Sequence, residues 1–133
     1  MLMTNKPQNW WQRLDGPLKV GLVHGRMRAS ERDRELGRLP AGVEVRSTVR
    51  GRADVVVFFA TRRAELVRRM ASFERALSPG GSLWVAWPKR TSGVATDLTF
   101  EPVQEIGNDA GLVDGRVCPL NAAWSSVRFQ RRV

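Results

Sequence analysis

Ala53 to Lys89 reads ADVVVFFATRRAELVRRMASFERALSPGGSLWVAWPK, and this stretch decides the fold. Asp54 to Phe59 is a short, nearly continuous apolar run rich in Val and Phe. Bounded by Arg52 and Thr61, it suits a strand covered on both faces, as in a parallel sheet. A buried helical turn is the competing reading, because periodicity does not separate the two over so few residues. Thr61 is positioned to cap a following helix through its hydroxyl. Leu66, Met70, Phe73 and Leu77 recur at helical spacing and make one apolar face, with Arg68 and Arg75 opposite. Ser78-Pro79-Gly80-Gly81 is expected to stop the helix, since Pro cannot continue the ladder and Gly supplies a left-handed cap. Leu83 to Trp87 is a second apolar strand, ended by Pro88.

Strand, helix, turn and strand of this length form a βαβ unit with a right-handed crossover. In open α/β sheets ligands bind outside the carboxyl ends of the strands. That rule puts Phe59, Ala60, Thr61, Trp87, Pro88 and Lys89 on the functional edge.

Outward toward the N-terminus, Leu18 to Val23 reads as the first strand, followed by His24-Gly25-Arg26. A nucleoside site normally begins at such a point, with a glycine-rich turn opening into a helix. Only Gly21 and Gly25 are available, with no G-x-G-x-x-G and no acidic residue at the strand end. Ser30 with Asp33 resembles a capping box for a short, charged helix from Glu31 to Leu39, which Pro40-Ala41-Gly42 ends. Val43 to Arg46 alternates and reads as a half-buried strand. Ser47 to Arg52 is too short for a helical crossover to the central strand. The preferred reading is a short parallel strand with an extended return; the alternative pairs Val43 to Val49 antiparallel with the central strand. Residues 1–17 read as an N-terminal arm in which Trp10 and Trp11 are anchors or a partner contact.

Outward toward the C-terminus, Arg90 to Asp97 is a polar loop held at a strand end, a common home for function. Asp97 or Thr99 caps a helix that tolerates Pro102 in its first turn and buries Val103 and Ile106. Asn108 to Gly111 end it. Leu112 to Leu120 and Trp124 to Val133 are two strands joined by a short turn, which pair antiparallel. Val127 and Phe129 share one face of the last strand; Ser126, Arg128 and Gln130 share the other. The expected architecture is therefore a small, Rossmann-like, three-layer α/β domain over residues 18–133. Its sheet is mostly parallel and closes with an antiparallel C-terminal pair.

At 133 residues the chain has room for one domain with a real core. Its one cysteine, Cys118, cannot form an internal disulfide, and the sequence holds no Cys/His cluster for a metal. The lone His24 reads as structural. No segment is long and apolar enough to span a membrane, and the N-terminus lacks a signal-peptide core, so the cytoplasm is the expected location. The net charge of +9 is carried mostly by arginine. It could draw nucleic acid, but the arginines are scattered, which also suits a GC-rich coding bias.

Ala53-Asp54-Val55-Val56-Val57 resembles the fourth strand of the class I, S-adenosylmethionine-dependent methyltransferase fold. Leu77-Ser78-Pro79-Gly80-Gly81-Ser82-Leu83 resembles that fold's L-x-P-G-G-x-L approach to its fifth strand. The chain also resembles a bacterial family of short proteins, a domain-of-unknown-function family, from Leu39 onward. The residues that carry this are Leu39 to Arg46, Ala53 to Phe59, Thr61 to Leu66, Leu83 to Lys89, Ser92 to Thr99, Gly111 to Asp114 and Trp124-Ser125. The family resemblance implies the fold and no particular chemistry.

Methyl transfer would need the glycine-rich turn after the first strand and usually a carboxylate after the second. His24-Gly25-Arg26-Met27-Arg28 and Arg46-Ser47-Thr48 supply neither, and Glu44 lies inside its strand. The expectation is accordingly a scaffold with no cofactor, S-adenosylmethionine remaining the one candidate. Asp97, Lys89 and Cys118 are the candidate catalytic groups, Cys118 reading as a small core residue. The preferred function is a non-catalytic binding module for a protein or small molecule, with a crevice lined by Phe59, Thr61, Trp87, Lys89, Ser92, Asp97 and Trp124. Against this stands a purely structural reading, in which Trp84 and Trp87 face opposite sides of the sheet and Lys89 pairs with Asp97. A methyltransferase and a basic nucleic-acid-binding protein are the alternatives.

Overall fold

The Val and Phe run forms β3 (Ala53–Phe59), buried on both faces as its unbroken apolar character requires. Val56 and Phe58 face one side of the sheet, and Val55, Val57 and Phe59 the other. The computed structural model describes residues 20–25, 44–46, 52–120 and 122–131. The N-terminal arm, the helix expected over Glu31 to Leu39 with its Ser30/Asp33 box, and the return after Arg46 lie outside the described residues.

Among the described residues, six strands form one sheet. β1 (Val20–Gly25) and β2 (Glu44–Arg46) lie beyond β3 on one side. β4 (Leu77–Pro88), β6 (Trp124–Arg131) and β5 (Leu112–Pro119) follow on the other. β1 extends two residues past the expected Val23, so His24 and Gly25 belong to the strand. β2 pairs with β1 in parallel, which supports the parallel reading of that segment over the antiparallel one. β1 with β3 and β3 with β4 are parallel too, whereas β6 runs antiparallel to both its neighbours. The sheet is thus mixed rather than mostly parallel. Its last two strands are joined by a tight turn, and a turn so short forces antiparallel pairing.

Among the described residues, two helices cover one face. α1 (Arg63–Ala76) buries Leu66, Met70, Phe73 and Ala76. α2 (Phe100–Asp109) buries Val103, Ile106 and Gly107. With Phe58, Leu83, Val85, Trp87, Val127 and Phe129 they make one core. A smaller cluster on the opposite face joins Val55, Val57, Phe59, Trp84, Ala86 and Leu120. Trp84 and Trp87 therefore do face opposite sides. The helix layer expected over the second face lies outside the described residues.

Both ends of α1 differ from expectation. Its N-cap is Arg62, and no side chain within that turn caps it, so Thr61 is not the cap. At the other end the helix stops at Ala76 and β4 begins at Leu77, ahead of the Ser78-Pro79-Gly80-Gly81 run. Gly80 does take a left-handed φ of 78°, but it does so within the strand. The last carbonyls of a helix need donors, and here a distant arginine serves one of them, Glu74 O, and joins a second arginine at the adjoining carbonyl of Leu77. Arg131 donates from Nη1 to Leu77 O at 3.0 Å and from Nη2 to Glu74 O at 2.7 Å. Arg52 Nη1 donates to Leu77 O at 2.8 Å. The Arg131–Glu74 ion pair, at 3.6 Å with both side chains about a third exposed, adds little. Arg131→Ala is expected to lower stability by about 1–2 kcal/mol, less than a fully buried charged donor would. Arg131→Lys should recover only part, because an ammonium lacks the planar fork that serves two carbonyls. Urea unfolding of the three proteins checks both.

Candidate functional site at the carboxyl edge of the sheet

The parallel strands β1, β3 and β4 end on the same edge. Gly25 at the end of β1 lies beside Phe59 at the end of β3, and Phe59 lies beside Ala86 in β4. The Ala60 amide continues that ladder by donating to Ala86 O at 2.9 Å. Beyond these ends run two segments, Ala60–Arg62 and the loop from Lys89 to Thr99.

The loop is held by its own polar residues. The Lys89 amide donates to Ala123 O at 2.8 Å, tying the loop to the β5–β6 turn. Arg90–Ser92 makes a single 3-10 turn, and Gly93 follows it with a left-handed φ of 78°. Ser92 Oγ donates to Lys89 O at 2.7 Å and accepts from the Val94 amide at 3.2 Å. Thr96 Oγ1 donates to Thr61 O at 2.7 Å and accepts from the Leu98 amide at 3.1 Å.

Asp97 makes the contact that the local sequence did not suggest. Its Oδ1 accepts from the backbone N–H of Arg63 at 2.8 Å, across 34 residues. The first N–H groups of a helix have no partner inside the helix and favour a negative charge. Asp97 thus caps α1, rather than α2 or Lys89. At α2, Thr99 holds the N-cap position but makes no side-chain capping bond. Asp97→Ala is expected to cost about 1 kcal/mol, as loss of an N-cap does, and Asp97→Asn to restore most of it. Midpoints of urea unfolding give the comparison.

The expected crevice residues fall into two groups, separated by the sheet. Trp87, Lys89 and Asp97 line one cleft of about 460 Å3, together with Pro88, Arg90, Thr96, Leu98, Thr99 and Ser125. Ser92 stands beside it through its bonds to Lys89. Phe59 and Trp124 belong to the other face, where their rings meet edge to face with centroids 5.0 Å apart. Thr61 is tied to the loop through its carbonyl. Cys118 packs with the Phe59 cluster and lies on that second face, away from Lys89 and Asp97. No group of three or more His, Cys, Asp or Glu among the described residues could hold a metal. Among the same residues no helix is long and apolar enough to cross a membrane.

The fold itself is shared with solved structures. Mitomycin 7-O-methyltransferase MmcR superposes with a TM-score of 0.64 at 15% identity, covering 86% of this chain and 49% of that one. Magnesium protoporphyrin IX methyltransferase ChlM from Synechocystis, solved with bound S-adenosylmethionine, gives 0.58 at 10% identity, covering 86% and 70%. The O-methyltransferase NcsB1 of neocarzinostatin biosynthesis gives 0.62 at 13% identity, covering 95% and 51%. It was solved with S-adenosylmethionine and 2-hydroxy-5-methyl naphthoic acid. The fold is methyltransferase-like. The chain spans about half the length of MmcR and of NcsB1. No protein-family model and no curated protein matches the sequence. The expectation of a scaffold without a cofactor is overturned by this company, because ChlM and NcsB1 hold S-adenosylmethionine on the same fold. That expectation came from a missing glycine motif, and a motif is only one way of leaving backbone open to a ligand.

Proposed function

We propose that the chain is an S-adenosylmethionine-dependent methyltransferase domain that holds its cofactor at the carboxyl edge of β1 and β3. The observation that carries this is the shared fold, whose neighbours are methyltransferases. It favours methyl transfer over a non-catalytic module. The described residues fit in one respect and differ in another. Gly25 closes β1 with no side chain, beside the end of β3, so the backbone there is open to close approach. Glu44 does not serve the ribose hydroxyls, since it lies opposite Val20, at the far end of β1 from Gly25. The described groups offered to the cofactor are therefore the backbone of Gly25 and of Ala60–Thr61. When bound there, S-adenosylmethionine would supply an electrophilic methyl group to a nucleophilic acceptor.

The test is thermal unfolding with S-adenosylmethionine and S-adenosylhomocysteine. A ligand at a hundred times its dissociation constant adds about 2.7 kcal/mol to the native state. For a chain of this size that raises the midpoint by about 10 °C. A saturable rise is the expected result. No rise at millimolar ligand would sink the reading.

A further inference from the structure

The cleft beside the Lys89–Thr99 loop has a chemistry that names its ligand. Its floor is apolar, built from Trp87, Pro88 and Leu98, all buried. Lys89, half-buried, and Arg90, exposed, stand at its rim. Neither has an ion-pair partner among the described residues. The cleft has one carboxylate, Asp97, and its Oδ1 is already engaged by the Arg63 N–H. Among the described residues the lining therefore sets two cations against one carboxylate, whose Oδ1 is turned to the Arg63 N–H, and leaves a net positive charge beside the apolar floor. At about 460 Å3 the space falls in the range of small-molecule pockets. Paired cations over an apolar wall favour a ligand with an apolar body and an anionic end.

We propose that this cleft binds a small organic anion, a carboxylate or a phosphate monoester on an apolar body. On the reading above, which this proposal rests on, that anion is the methyl acceptor. The cleft lies at the end of β4, on the same edge of the sheet as Gly25 and Phe59, the edge at which open α/β sheets take their ligands.

The experiment is calorimetric titration of the full chain, with and without saturating S-adenosylhomocysteine. The probes are 1-naphthoate, 1-naphthyl phosphate and the neutral 1-naphthamide. One or both anions should bind, and the better of the two identifies the headgroup. The amide should bind at least about tenfold more weakly, as loss of a charged contact implies. Lys89→Glu with Arg90→Glu should weaken the anion by tenfold or more and leave the amide unchanged. Lys89→Gln with Arg90→Gln gives the same comparison should the reversal fail to fold. Equal binding of anion and amide, or no effect of either double variant, overturns the proposal. So does a single-stranded oligonucleotide that displaces naphthoate with a steep salt dependence, which would make the cations a nucleic-acid surface. The two readings fail separately. Loss of anion binding with the S-adenosylhomocysteine response intact removes only the acceptor class. Anion binding without that response keeps the site and removes methyl transfer.

Discussion

Phe73→Ala is expected to lower the free energy of unfolding by about 3–5 kcal/mol, the usual cost of emptying a buried aromatic site. Phe73 is fully buried on the inner face of α1, and its ring lies 4.7 Å from that of Phe58, centroid to centroid, tilted by 50°. Aromatic pairs in this arrangement add about 0.5–1.5 kcal/mol beyond their area. Phe58 is itself fully buried in β3, so the pair is where helix and central strand lock. Neither side can collapse into the space, because Leu66 and Met70 on the same helix face are already packed. A domain holds only about 5–15 kcal/mol in all, so this one change takes a large share. Phe73→Leu keeps much of the volume and should cost less than half as much. Urea unfolding followed by far-UV circular dichroism measures both. A loss below about 1 kcal/mol for the alanine variant would mean that α1 is not packed on β3 as described.

Gly107→Ala is expected to destabilise by about 2–3 kcal/mol, as overpacking a dense core does. The sign is the informative part. In a helix interior alanine is normally favoured over glycine by about 1 kcal/mol. Gly107 lies within α2, has no positive φ and is buried, so local preference alone predicts a gain. A Cβ there, however, would overlap the ring of Phe129. That ring is fully buried in β6, and the neighbouring core holds it in place. α2 approaches the sheet so closely that only a residue without a side chain fits. Shrinking the ring should reverse the penalty: in a Phe129→Leu background, Gly107→Ala should cost much less. A double-mutant cycle with a coupling of about 1 kcal/mol or more records this. A stabilised Gly107→Ala would show that helix and sheet stand further apart.

Most of the secondary structure is legible in the residues. The unbroken Val and Phe run of Asp54 to Phe59 and the helical spacing of Leu66, Met70 and Phe73 are local signals, and both elements form where they point. The last strand pair is legible because so short a turn admits only antiparallel strands. Element ends are less legible. β1 runs to Gly25 and β4 begins at Leu77, because strand length depends on what a neighbour offers to pair with. That Trp87, Lys89 and Asp97 come together was legible, because the end of one strand and the loop after it lie close in the chain. Phe59 and Trp124 were drawn into the same crevice, yet they lie across the sheet from Trp87. Which face a residue takes alternates along its own strand, but matching faces between strands needs their register. No single segment contains that information.

By itself, then, the sequence determined the order of strands and helices from Ala53 onward and the βαβ unit. Both follow from periodicity and turn chemistry within a few residues. Tertiary structure alone decided how α1 is closed at its two ends, by Asp97 from 34 residues away and by Arg131 from 57. It also decided why Gly107 has to be glycine and how the candidate residues divide between two faces of the sheet. A free N–H, a free carbonyl or a small gap shows in sequence only as a local want. The residue that fills it is chosen by proximity, which exists only once the chain has folded.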